Sequence, residues 1–119
     1  PLVLFFYPKD FTPGCTAEAC AFRDQYEDFT DAGALVIGIS SDSQASHRNF
    51  AKRHRLPFIL LSDPKKEVRR KFRVKNRLLN LLPGRETFVV DKNGKIVMTF
   101  EGMQASGHVP RALKALKKL

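Results

Sequence analysis

Apolar residues along this chain gather into short unbroken runs that alternate with stretches of helical period. The run "LVLFFY" (2–7) ends at Pro8 and suits a strand buried on both faces. Residues 15–32 place Cys15, Ala19, Phe22, Tyr26 and Phe29 on one helical face, which predicts a single helix stopped by Gly33. "ALVIGIS" (34–40) predicts a second buried strand, and Asp42 and Ser43 offer caps for a helix through "SHRNFAKRH". "FILL" (58–61) predicts a third strand, and Asp63-Pro64 opens a helix running to Phe72. A longer connection over 73–86 contains the apolar run "LLNLL", read as packing, with a surface patch near the site as the alternative. "TFVVD" and "KIVMTF" flank "KNG" and predict a β-hairpin. "HVPRALKALKKL" closes the chain as a helix, apolar at Val109, Leu113 and Leu116.

The order is β-α-β-α-β-α-β-β-α. It predicts an α/β fold with a mixed, mainly parallel sheet, helices on both faces and right-handed crossovers. In such sheets chemistry sits beyond the carboxyl ends of strands, and residues 8–15 leave the carboxyl end of the first one. The 119 residues suggest a single domain over 1–119. The chain opens on Pro1, directly in what reads as a buried strand. A preceding N-terminal segment is therefore expected, and any targeting signal with it.

Composition narrows the class. With 43% hydrophobic and 28% charged residues the chain is ordinary for a globular domain. Its leading apolar run is too short for a membrane span or a signal peptide. Two cysteines do not make a disulfide scaffold. The 21 Lys and Arg against 12 Asp and Glu give a net charge of +9, which attracts acidic partners or nucleic acid. Yet no RNA or DNA motif is present and the aromatics fall in buried patterns, so no specific nucleic-acid partner is expected. A solvated basic face is the plainer reading. His47, His54 and His108 fit no metal spacing with the cysteines and are read as surface residues.

Both cysteines sit in "TPGCTAEAC" (12–20). Cys15 falls where the helix begins, and free backbone N–H groups there favour an anion. A thiolate is the reactive form of cysteine, and a neighbouring Arg favours it further. Thr12 and Thr16 supply hydroxyls, while Pro8 and Pro13-Gly14 stiffen the turn. Five helical residues put the Cα atoms of Cys15 and Cys20 roughly 8–9 Å apart with side chains about 140° apart. A disulfide needs less than about 7 Å, so the intact helix forbids one. Cys20 is expected on the helix, largely buried and out of bonding range. The chemistry that suits such a pair is thiolate attack on a peroxide to give a sulfenic acid, followed by condensation with a second thiol.

"PKDFTPGCT" resembles the peroxiredoxin signature P-x-x-x-T-x-x-C through Pro8, Thr12 and Cys15. "TPGCTAEACAFRD" is similar to the peroxiredoxin Q, or bacterioferritin comigratory protein, type. The resemblance extends through "VIGIS", "LPFILLSD", "LPGRETFVVDKNG" and the last helix. It implies a thioredoxin-like fold. It makes Cys15 the peroxidatic nucleophile and Cys20 the resolving thiol. Thr12 is to hydrogen-bond thiolate and peroxide, Pro8 to shield the sulfur, and Arg85 to polarise peroxide and stabilise the thiolate. It further implies a thiol peroxidase for hydrogen peroxide and organic hydroperoxides, recycled by thioredoxin; no metal, haem or flavin is implied, and a monomer is expected. Cytoplasm is expected for a bacterial form and plastid for a plant or algal one. Two competing readings stand beside it. A thioredoxin-like disulfide oxidoreductase wants C-x-x-C and, by resemblance to that family, a Pro before the strand at Thr87, where this chain has C-x4-C and Glu86. A basic nucleic-acid-binding module has only the charge in its favour.

Overall fold

The computed structural model describes residues 1–74, 76–77 and 82–119. The apolar run at the start forms β1 (Leu2–Phe6), the middle strand of a five-stranded sheet of order β3-β2-β1-β6-β7. Its neighbours are β2 (Leu35–Ser40) on one side and β6 (Glu86–Val90) on the other. β3 (Ile59–Ser62) and β7 (Ile96–Glu101) are the edges. The β1–β2 and β2–β3 pairings are parallel, and the β1–β6 and β6–β7 pairings are antiparallel. The mixed sheet is thus divided at β1: crossover connections build one half and the hairpin, turning at Asp91–Gly94, builds the other. β4 (Asn76–Arg77) and β5 (Leu82–Pro83) form a separate short ladder. Leu78, Leu79, Asn80 and Leu81 of the "LLNLL" run lie outside the described residues.

β1 lacks polar alternation because both its faces are covered. Val3, Phe5 and Tyr7 point to a core shared with α1 (Pro13–Asp24), α2 (Tyr26–Asp31), α3 (Gln44–His54) and α5 (His108–Lys117). Phe22, Phe29, Phe50, Val109, Ala112 and Leu116 supply the helical side of it. Leu4 and Phe6 point the other way, to Ile39, Phe88, Val90 and Val74. There Phe72, just after α4 (Glu67–Lys71), packs with its ring centre 5.3 Å from that of Phe6, tilted, and 5.1 Å from that of Phe88, edge-on.

Two elements differ from their sequence reading. The single helix expected over 15–32 is divided at Gln25, whose ψ of 11° lies outside helical geometry; Gly33, at φ 74°, ends the second piece as expected. The helix expected from Pro64 starts three residues later. Lys66 takes a left-handed conformation there, and the Asp63 carboxylate accepts from the N–H groups of Val68 and Arg69. Asp63 thus caps a shorter helix from a distance instead of opening a longer one.

Two of the three histidines expected at the surface lie in the interior. His47 and His108 are 4% and 0% exposed. Their ring nitrogens satisfy buried polar groups, which a spacing argument aimed at metals does not detect. His54 is half-buried. Among the described residues no helix is long and apolar enough to cross a membrane.

Candidate active site

The loop leaving β1 turns through Pro8–Thr12 and enters α1 with Thr12 extended at the cap position and Pro13 in the first turn. Cys15 follows in that first turn, where backbone N–H groups have no partner within the helix. It is 1% exposed and lines an open cleft of about 510 Å³ together with Pro8, Thr12, Asp42, Arg85 and Met103. Four of the five residues singled out from sequence therefore meet in one place. Cys20 does not line that cleft; it sits further along the same helix. It is half-buried rather than largely buried, because it lies off the stripe that α1 turns to the core through Cys15, Ala19 and Phe22. Both thiols are free.

Arg85 arrives from the residue before β6. Its three guanidinium nitrogens are each engaged: Nε donates to Met103 O at 3.0 Å, Nη1 to Glu18 Oε1 at 2.6 Å, and Nη2 to Cys15 Sγ at 3.3 Å. Burial works against its charge, but Glu18 and Cys15 outweigh that and raise its pKa above the ordinary arginine value. The guanidinium is therefore a fixed cation held against the sulfur. Gly14 makes the approach possible, since a Cβ there would lie 3.0 Å from Arg85 Nη2.

Glu18 was not anticipated from sequence. It is fully buried, one turn after Cys15 on α1. Burial outweighs the Arg85 charge and pushes its carboxyl up to about 7. Its second oxygen lies 3.4 Å from His108 Nδ1. Burial and the cations Arg85 and Arg111 lower the His108 pKa, against the pull of the Gly102 carbonyl, so the ring is neutral. Its Nε2–H donates to Gly102 O at 2.8 Å, and the Thr87 hydroxyl, 2.8 Å away, donates to Nδ1. The signal for Glu18 was available: a carboxylate among the apolar positions of a helix needs a buried partner.

The Thr12 hydroxyl donates to Lys9 O at 2.7 Å, so its proton goes to the loop and not to the sulfur. What remains for a guest in the cleft is an acceptor. A second buried arginine, also missed, joins the two arms of the site. Arg69, 4% exposed, donates through Nη1 to Gly84 O at 3.0 Å and through Nη2 to Tyr7 O at 3.4 Å. Gly84 precedes Arg85 and Tyr7 precedes Pro8, so one side chain fixes the spacing between them.

Chemically the arrangement offers a thiol at a helix start, a permanent cation against it, and an acceptor oxygen on the rim of the same cleft. The model of the AhpC/TSA family matches residues 1–99. Peroxiredoxin Q of Sedum lineare, a chloroplastic protein, is 52% identical over 120 aligned positions that take in all of this chain and 64% of that protein. The chloroplastic peroxiredoxin Q of Arabidopsis thaliana is 52% identical over 116 positions, 97% of this chain and 54% of that one. The chain thus spans between about half and two-thirds of the length of these relatives. Among solved structures, the bacterioferritin comigratory protein of Xanthomonas campestris, described for its alkyl peroxide reduction activity, superposes with a TM-score of 0.92 at 35% identity. The match covers 98% of this chain and 78% of that one. Peroxidoxin BcpB of Mycobacterium tuberculosis superposes with a TM-score of 0.90 at 39% identity, over 99% of this chain and 79% of that one.

Proposed function

The chain belongs to the AhpC/TSA family, and from that membership we propose that it is a thiol-dependent peroxidase acting through Cys15. The observation that carries the reading is the 3.3 Å contact between Arg85 Nη2 and the Cys15 sulfur inside an open cleft. In the proposed reaction the Cys15 thiolate attacks one oxygen of a hydroperoxide. The O–O bond breaks, the sulfur becomes a sulfenic acid, and the leaving oxygen takes a proton and departs as water or an alcohol. Arg85 stabilises the negative charge that moves from sulfur to the leaving oxygen. Thr12, with its own proton engaged by Lys9, accepts the hydrogen of the hydroperoxide and orients it. Pro8 closes one side of the cleft to water.

Cys20 then attacks the sulfenic sulfur, forming the Cys15–Cys20 disulfide and releasing water. A dithiol of the thioredoxin class reduces that bond and is itself oxidised. The alkyl peroxide reduction of the Xanthomonas campestris protein supports organic hydroperoxides as substrates beside hydrogen peroxide. Both cysteines lie on one helix, so a monomer suffices. The chloroplastic relatives support a plastid location for a plant or algal source, and cytoplasm is the corresponding place in a bacterium. Turnover of hydrogen peroxide and cumene hydroperoxide with thioredoxin and its reductase tests the reading. The wild type is expected to turn over and Cys15→Ser to be inactive. Equal turnover by both proteins would refute it.

A further inference from the structure

Asp10 and His47 form a buried ion pair that the chemistry described so far does not use. Asp10 stands in the loop between Pro8 and Thr12. Its carboxylate accepts from Tyr7 Oη at 2.6 Å, from Ser46 Oγ at 2.8 Å and from His47 Nδ1 at 2.8 Å. Its backbone N–H donates to Asp42 Oδ2 at 2.8 Å. One residue thereby ties the loop to Tyr7 just past the end of β1, to α3 and to the turn before α3. The next residue, Phe11, is held at φ 65°, a conformation that a side chain disfavours and that a slack loop would leave.

His47 faces acceptors on both sides. Nδ1 meets Asp10 Oδ2 and Nε2 lies 3.1 Å from Leu61 O on β3. Neither a carboxylate nor a carbonyl brings a proton, and a neutral imidazole has only one N–H. Both contacts are satisfied together only by the imidazolium. Among the described residues, the titratable and charged groups around the ring are Asp10, Asp42 and the Tyr7 phenol, whose oxygen is 3.4 Å from Nδ1, with Arg48 beside it on α3. Tyr7 stays protonated, since burial first and Asp10 second push its pKa up. The atoms of Asp10, Asp42 and His47 converge within 4.8 Å, but Asp10 spends both oxygens and His47 both nitrogens on protein partners, so the cluster is an ion pair and not a metal site.

We infer that Asp10 and cationic His47 are positioning residues: their ion pair holds loop 8–12 so that Pro8 and Thr12 keep their places over Cys15. Loss of the His47 proton as pH rises slackens that loop and slows the peroxide step. The inference rests on the peroxidase reading for its rate readout and on geometry for the rest. Burial opposes the imidazolium, but Asp10, the Leu61 carbonyl and Asp42 outweigh it and raise the His47 pKa above its ordinary value. Burial likewise pushes Asp10 up, yet His47, Tyr7 and Ser46 hold it below the usual carboxylate range. Both shifts favour the charged pair, and it is lost as pH rises through the raised His47 value.

Three measurements on the reduced protein test this. Nitrogen NMR of the imidazole is expected to show both His47 nitrogens protonated at pH 7; a singly protonated ring overturns the inference. Amide exchange over residues 9–12, corrected for its intrinsic pH dependence, is expected to accelerate in step with His47 deprotonation; protection that ignores the titration overturns it without any appeal to catalysis. The rate of peroxide consumption per folded molecule is expected to fall along the same titration. His47→Gln is expected to lower it about tenfold, as small displacements of reacting groups do, and to abolish the fall with rising pH. His47→Lys, which restores a cation, is expected to recover part of the rate. A His47→Gln protein with wild-type rate and wild-type pH profile overturns the positioning role. A wild type that consumes no peroxide refutes the function instead, and leaves the NMR and exchange results to decide the pair.

Discussion

Arg85 and Cys15, 70 residues apart in sequence, meet at 3.3 Å, and the same guanidinium holds Glu18 and the Met103 carbonyl. Position matters here as much as charge. Arg85→Lys keeps the cation, but one ammonium cannot reproduce a planar three-way contact. Peroxide reduction is expected to fall about tenfold, near 1.4 kcal/mol of transition-state stabilisation, and Arg85→Ala to fall further. Alkylation of Cys15 by iodoacetamide at neutral pH should slow in parallel. Unchanged rates in both variants would return Arg85 to a structural role.

Gly14 is the spacer that lets this contact form. In Gly14→Ala the new Cβ would lie 3.0 Å from Arg85 Nη2, so the guanidinium must give way. Elsewhere in a helix that substitution gains about 0.5–1 kcal/mol. The variant is expected to keep or raise its melting temperature while losing several-fold in peroxide rate, with the expected loss taken as about half a decade. Thermal denaturation and stopped-flow measurement on one sample separate the two effects.

Glu18 links folding to protons. Its carboxyl titrates near 7 in the folded protein, against 4.5 ordinarily. Folding therefore takes up a proton between those values. The stability that Glu18 contributes is complete below its unfolded value and is lost as pH rises through about 7. Urea denaturation at intervals from pH 5 to pH 8 should show stability declining over that range in the wild type. Glu18→Gln should remove that component, leaving two opposed ones: a gain in stability with rising pH from His108, whose pKa is lowered by burial, and a decline from His47, whose pKa is raised. An unchanged slope in that variant would contradict the assignment.

The division of the first helix at Gln25 bears on the disulfide. Cys15 and Cys20 both lie within Pro13–Asp24, where helical geometry keeps their Cα atoms roughly 8–9 Å apart. Bond formation requires α1 to open, which costs less than global unfolding. The break at Gln25 is a natural limit to that opening. On oxidation, helical circular dichroism should fall and amide exchange should speed over residues 13–24, while α2 keeps its protection. A Cys15–Cys20 bond in a protein with α1 intact would refute this.

Much of this was legible in the chain because the signals are local. The unbroken apolar run of β1 announces a strand covered on both faces, and Pro8, Thr12 and Cys15 announce the turn into the helix. What escaped depends on contacts between distant segments. His47 and His108 look like surface residues until Leu61, Asp10, Glu18 and Gly102 are brought around them. Arg69 sits in a run rich in basic side chains, and nothing nearby in sequence marks it as the one that is buried between Tyr7 and Gly84. The late start of α4 has a local cause instead: Asp63 caps it across an intervening turn of five to six residues in which Lys66 is left-handed.

The central claim is that Cys15 alone reacts with peroxide and Cys20 alone resolves the product. The most direct measurement is intact-mass analysis of Cys20→Ser after one equivalent of hydrogen peroxide, with dimedone present, beside Cys15→Ser treated alike. The account predicts one dimedone adduct on Cys15 in the first protein and none in the second. An adduct on Cys20 in Cys15→Ser at the wild-type rate, or no adduct on Cys15 in Cys20→Ser, would contradict it.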